Sequence, residues 1–317
     1  MIKRFLQANK RVFLLTIPFV FPLLSCSSEQ NSPQPSQTLP SQSIPTQTAS
    51  ASPVPFNRYG ETLKDVVYCT PDNAPQMMDV YFPAAGGPWP GLVYVHGGAW
   101  MHGDKSEAAM FARLMTAQGY LVVSVNYRLY PEAQFPAMIQ DVKCAVRSLR
   151  ANAAQYNLDP NRVGAVGVSA GGHLVSLLGT TDLSAGWDVG EYLEQSSRVQ
   201  AVIAMAGVMD LSRKFPNADI EAMKRVGFGE YNVVEASPIS HVTPDNPPFL
   251  LIHGDRDELV PVEQSQLMYE RLVQENVPAQ LVVVKNASHS FTAPVGMTPT
   301  VGEINQIILG FLATYLG

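Results

Sequence analysis

The stretch "RVGAVGVSAGGHL", residues 162–174, decides how the rest of the chain is read. It packs four glycines and one serine where an apolar run, 163–168, meets a helix-like segment, 174–178. A Walker loop would require Gly-Lys followed by Ser or Thr, and no lysine is present. A dinucleotide fingerprint requires G-x-G-x-x-G, a spacing that Gly164, Gly167 and Gly171 do not give. Gly167-Val168-Ser169-Ala170-Gly171 does fit GxSxG, a pattern that chance supplies roughly 0.1 times in a chain of this length. A serine at a sharp strand-to-helix turn adopts strained backbone angles, so its neighbours two positions away must lack side chains. Gly167 and Gly171 meet that need, and Ser169 reads as an exposed nucleophile at the start of a helix.

Outward from this turn, short apolar runs alternate with helix-like segments. The runs cover 66–68, 78–82, 91–95, 121–125, 163–168, 201–206, 249–252 and 281–284. They are too continuous for one-sided strands, which implies a sheet covered on both faces. Met138, Val142, Ala145 and Leu149 share one helical face, as do Ile304, Ile308, Phe311 and Tyr315. Strand-helix repetition predicts an α/β domain with a mostly parallel, eight-stranded sheet and helices on both faces. The first two runs, joined by Pro71-Asp72-Asn73, predict a hairpin at the N-terminal edge of the sheet. Residues 210–248 lack a clear strand period and are expected to form a small cap or lid.

In such sheets the chemistry collects at the carboxyl ends of the strands. His96-Gly97-Gly98-Ala99-Trp100 follows the third run, and its glycines allow close approach of backbone to substrate. The N–H groups of Gly98, Ala99 and Ala170 are the expected oxyanion donors, with Gly97 an alternative to Ala99. His96 reads as a loop brace; His102 and Asp104 hint at a metal, but no further ligands accompany them. Of the six histidines, His289 in Asn286-Ala287-Ser288-His289 alone lies beyond the acid-bearing loop after the seventh run and is the expected base; His173 is not. The acid lies in His253-Gly254-Asp255-Arg256-Asp257-Glu258, with Asp210 a further candidate; spacing does not choose among Asp255, Asp257 and Glu258.

Together HGGAW, GVSAGG, HGDRDELVP and ASHSF resemble the α/β-hydrolase superfamily, in the chain order nucleophile, acid, histidine. The finer resemblance is to carboxylesterases near hormone-sensitive lipase, in the acetyl xylan/feruloyl esterase-like branch. Residues 126–142, 167–174 and 237–261 carry it, and it covers roughly residues 60–317. It implies Asp257 as the acid, three residues after the glycine of HGxxD, and leaves Asp255 to brace its loop. Val168 before the serine and Ala99 in the HGG loop depart from the lipase branch and resemble the xylan-esterase-like one. The resemblance implies ester hydrolysis by Ser169, His289 and Asp257 through an acyl-enzyme, on short-chain or carbohydrate acyl esters, without metal or organic cofactor. The alternatives are an arylformamidase, a serine aminopeptidase and a catalytically inactive binding protein.

The chain of 317 residues is 46% hydrophobic and 15% charged, ordinary for a globular protein, and its net charge of −6 argues against a nucleic-acid partner. Lys3, Arg4, Lys10 and Arg11 precede an apolar stretch, 12–24, too short for a bilayer and broken by Pro18 and Pro22. Residues 1–25 are therefore expected to be a cleaved export signal. Leu23-Leu24-Ser25-Cys26 resembles the lipobox of bacterial lipoproteins, which implies lipidation of Cys26 and a membrane-anchored protein of the cell envelope. Residues 26–57, rich in Ser, Pro, Gln and Thr, read as a tether to a catalytic domain at 58–317. Cys69 and Cys144 are expected to be separate, buried small hydrophobes.

Overall fold

The computed structural model describes residues 56–291 and 296–317. The export signal 1–25, Cys26 and the tether as far as residue 55 lie outside the described residues. One eight-stranded sheet runs in the order β1-β2-β4-β3-β5-β6-β7-β8. Its strands are β1 (Thr62–Cys69), β2 (Gln76–Tyr81), β3 (Trp89–Val95), β4 (Leu121–Val125), β5 (Leu158–Val168), β6 (Ala201–Met205), β7 (Phe249–Gly254) and β8 (Ala279–Val284). β2 is antiparallel to both neighbours, and every pair from β4 to β8 is parallel. The expected edge hairpin is β1–β2.

Both faces of the sheet are dry, and the strand pleat divides the apolar residues between them. In β3, Val93 and Val95 join one core while Leu92 and Tyr94 join the other; in β4, Val123 and Val122 part the same way. The first core is closed by α2 (Ala137–Ala151), α3 (Ala153–Tyr156), α4 (Ala170–Thr180) and α6 (Glu263–Gln274). The second is closed by α1 (Ala109–Thr116) and α7 (Val301–Leu316). The remaining helix, α5 (Ala218–Phe228), lies within the stretch expected to form a cap.

Two features correct the sequence reading and a third extends it. Cys69 and Cys144 form a disulfide, with Cα atoms 6.4 Å apart across 75 residues of sequence. Strand and helix patterns treat these positions separately; the fold brings the end of β1 against α2. On α7, Tyr315 is 38% exposed, and the buried stripe runs instead through Ile304, Ile308, Leu312 and Leu316 with Phe311. Helix α2 is not one-sided. Lys143 and Arg147 are buried on its other face because Asp188 covers them, at 2.8 Å from each. Burying two cations without such a partner would cost several kcal/mol each.

Candidate active site

The serine turn forms as its sequence requires. Ser169 has φ 57° and ψ −118°, a conformation that costs about 1–3 kcal/mol unless its surroundings impose it. They do so in two ways. The Ser169 N–H donates to the Met205 carbonyl at 2.8 Å, tying the turn to β6. A Cβ at Gly167 would lie 2.3 Å from the Gly171 oxygen, and one at Gly171 would lie 2.1 Å from the Val95 oxygen. Only glycine lets the first turn of α4 lie this close to the ends of β3 and β5. Ala170 is the first residue of α4, where backbone N–H groups lack intrahelical acceptors.

His289, after β8, presents Nε2 to Ser169 Oγ at 2.9 Å. Its Nδ1–H donates to Asp257 Oδ2 at 2.7 Å. The carboxylate can only accept, so Nδ1 carries the proton and Nε2 is free to accept from the serine hydroxyl. The Asp257 side chain is fully buried. Burial alone would raise its pKa, but hydrogen bonds from His253 and His289, the nearby His289 imidazole and the Val260 N–H outweigh it. They hold the carboxyl well below the usual carboxylate range. Leu259 and Val260 N–H groups both donate to Oδ1, at 2.9 and 2.8 Å.

The other acid candidates have other partners. Asp255 accepts from the Asn286 N–H at 2.6 Å and so braces the loop that carries His289. Glu258 is exposed. Asp210 accepts from Ser212 and pairs with Arg213. Of the acids that spacing left open, the fold brings Asp257 to His289.

Gly98 and Ala99 line the same cleft as Ser169 and His289, a cavity of about 440 Å³. Both have positive φ, 106° and 50°, as the loop folds back over the end of β3. His96 braces this loop. Its Nδ1–H donates to the Gly97 carbonyl at 2.7 Å, and its ring stacks on Tyr127, whose hydroxyl donates to the His96 carbonyl. Burial pushes the His96 imidazole down, which keeps it neutral beside the loop. His102 also lines the cleft, but no group of three or more potential metal ligands occurs among the described residues.

Sequence reasoning missed what His173 does. Its Nε2–H donates to the Ala236 carbonyl at 2.8 Å, and its Nδ1 accepts from the Trp100 indole at 3.3 Å. A fully buried ring on α4 thereby joins the HGGAW loop to the chain returning from the cap. Burial pushes its pKa down to about 4. Also missed were the cap residues Asn217, Asp219, Ile220 and Met223, which line the cleft from α5 and the turn before it. The lack of a strand period over 210–248 marked the region, but no motif marked the residues. Among the described residues the cleft charge is negative: Glu107 and Asp219 line it and no lysine or arginine does. Burial first and Glu107 second push the Tyr94 hydroxyl up to about 12.

Known proteins share both the sequence pattern and the fold. The chain is 37% identical over 220 residues to esterase LipC of Mycobacterium tuberculosis, covering 63% of this chain and 53% of that one. It spans about half the length of the curated relatives it matches. Among solved structures, a truncated carbohydrate esterase from gut microbiota superposes with TM-score 0.68 at 28% identity, over 81% of this chain and 98% of that chain. Butyrate-bound esterase Est2 of Thermogutta terrifontis superposes with TM-score 0.68 at 26% identity, over 79% and 93%. The BD-FAE family model matches residues 78–272, more than half of the chain, from within β2 to within α6. By that match, carried on an α/β-hydrolase sheet, the chain belongs to the BD-FAE family.

Proposed function

We propose that the protein is a serine ester hydrolase that works through an acyl-enzyme on short-chain or carbohydrate acyl esters. The observation that carries this reading is the unbroken hydrogen-bonded chain Asp257–His289–Ser169, with links of 2.7 and 2.9 Å, opening into the cleft. His289 Nε2 takes the Ser169 proton as Oγ attacks the ester carbonyl, and the carbonyl π electrons move onto oxygen. Backbone N–H groups of Gly98, Ala99 and Ala170 receive that oxyanion; each such donor contributes about 2.7–4 kcal/mol to the transition state. Buried, ionised Asp257 balances the imidazolium. The oxyanion collapses, the C–O bond to the alcohol breaks, and His289 returns the proton to the leaving oxygen. Water then repeats the sequence to free the acid.

The likeness to a carbohydrate esterase and to a butyrate-bound esterase supports this substrate range. Apolar Val168, Ile220, Met223 and Leu259 suit a short acyl group, and the negative rim favours neutral alcohols over anionic ones. We further propose export and anchoring through lipidated Cys26, with 26–57 as tether and 58–317 as the catalytic domain. The Cys69–Cys144 disulfide supports this, because such bonds persist in oxidising compartments.

The test is hydrolysis of p-nitrophenyl acetate, butyrate and octanoate, a feruloyl ester and acetylated xylan by the purified protein. Acetyl or feruloyl esters are expected to be turned over. Ser169→Ala and His289→Ala should be folded and inactive, and Asp257→Asn should lose far more activity than Asp255→Asn. Equal hydrolysis by wild type and Ser169→Ala would sink the mechanism.

A further inference from the structure

Asp257 is held by two histidines, and the proposed reaction uses one. His253, at the end of β7, is fully buried, and its Nε2 lies 3.2 Å from Asp257 Oδ2, the oxygen that also receives the His289 Nδ1–H. Its protonation follows from its other partners. Nε2 is 2.9 Å from the Val260 carbonyl, which can only accept, so Nε2 carries hydrogen. Nδ1 is hydrogen-bonded to the Ser265 hydroxyl on α6 at 2.7 Å. The ring is fixed at both nitrogens, with its N–H shared between Val260 and Asp257.

We propose that His253 is a positioning residue: a buried imidazole that holds the Asp257 carboxylate in the one orientation that presents Oδ2 to His289. A carboxylate has about four lone-pair sites; here Leu259, Val260 and His289 donate to three of them, and the His253 Nε2 stands 3.2 Å from Oδ2 beside the fourth. Rotation of the carboxylate would break several of these bonds at once, in a place that water does not reach. With Oδ2 held, His289 points Nδ1–H inward and Nε2 toward Ser169. Ser265, fully buried, is the far end of the chain, so the line Ser265–His253–Asp257–His289–Ser169 crosses from helix α6 to the serine turn. Removing the His253 donor leaves the backbone bonds on Oδ1 but frees Oδ2 to swing.

The inference rests on the ester-hydrolase reading above, and the experiment separates the two. Full-length protein carrying His253→Leu, His253→Gln or Ser265→Ala is compared with wild type and Ser169→Ala on p-nitrophenyl acetate, with thermal unfolding to establish folding. His253→Leu should lower kcat about tenfold or more, the scale of one hydrogen bond to a charged group, with KM within about twofold. His253→Gln, whose amide N–H can reach the same oxygen, should recover most of that loss. A folded His253→Leu with wild-type kcat overturns the inference, as does a folded His253→Gln no faster than the leucine variant. Should the leucine variant not fold, Ser265→Ala decides. A lowered kcat at unchanged KM supports the chain, and wild-type kcat overturns it. If Ser169→Ala is inactive and these variants match wild type, only this inference fails; if Ser169→Ala is active, the underlying reading fails.

Discussion

Replacing Gly171 by alanine adds one methyl group, and the fold makes its consequence calculable. The new Cβ would lie 2.1 Å from the Val95 oxygen and 2.5 Å from the His96 oxygen, where real contacts essentially never fall below 3.0 Å. Relief of the first clash requires 3.0 − 2.1 = 0.9 Å of movement. Both neighbours are backbone at the end of β3, which is bonded to β4 and β5 in the middle of the sheet and cannot yield alone. The first turn of α4 must therefore move, carrying Ser169 and Ala170 away from His289 and from the HGGAW loop. Overpacking of this kind costs about 1–3 kcal/mol of stability, and a misplacement of about 1 Å at reacting groups can cost about a hundredfold in rate. Gly171→Ala should thus lower kcat/KM for p-nitrophenyl acetate about a hundredfold while urea unfolding shows a smaller stability, still folded. Gly310→Ala on α7 is the matched control, because its Cβ would meet nothing within 4 Å; it should be active and slightly stabilised. A folded Gly171→Ala within about threefold of wild type would refute the reasoning.

Removing the disulfide by Cys69→Ala with Cys144→Ala opens a loop closed over 75 residues, worth about 4.5 kcal/mol by the chain-entropy relation. Urea unfolding should record most of that loss with kcat/KM retained, because the cystine lines a cleft separate from that of Ser169; a loss below about 1 kcal/mol would contradict it. His173 supplies a pH effect. Its folded pKa near 4 lies below its unfolded value of about 6.5, so below pH 6.5 the unfolded chain takes a proton that the native one refuses. Stability should therefore fall by about 3 kcal/mol from this group as pH drops from 6.5 to 4. His173→Gln, which keeps an N–H for Ala236, should show a flatter decline in unfolding midpoint over that range; a parallel decline would count against the assignment.

Much of the fold was legible because the apolar runs report burial directly. Each of the eight runs lies on or beside a strand, and the hairpin falls at the edge. The limits came where one segment covers another. Lys143 and Arg147 lie off the apolar face of α2 that the sequence marks, and the segment bearing Asp188 covers them. Tyr315 fits the helical period of α7 but falls just off the face that meets the sheet. Cys69 and Cys144 are 75 residues apart, and neither local pattern contains the other. His253 and His173 fall within motifs, but the motifs do not show their partners, since a histidine's role depends on what faces its two nitrogens.

The sequence by itself determined the Ser169 turn. Gly167 and Gly171 are local necessities of a strand-to-helix turn, and their neighbours in space are set by the strand pattern around them. It also determined the chain order of serine, acid and histidine, because strand ends in a parallel sheet gather on one edge. Among the carboxylates that spacing left open, the resemblance pointed to Asp257, and the tertiary structure shows why that one meets His289. Asp255 and Asp257 sit two residues apart in one loop, and spacing does not distinguish them. The backbone folds Asp255 onto Asn286 and buries the Asp257 side chain against the Leu259 and Val260 N–H groups and the His289 imidazole, and that difference in partners places Asp257 rather than Asp255 beside His289.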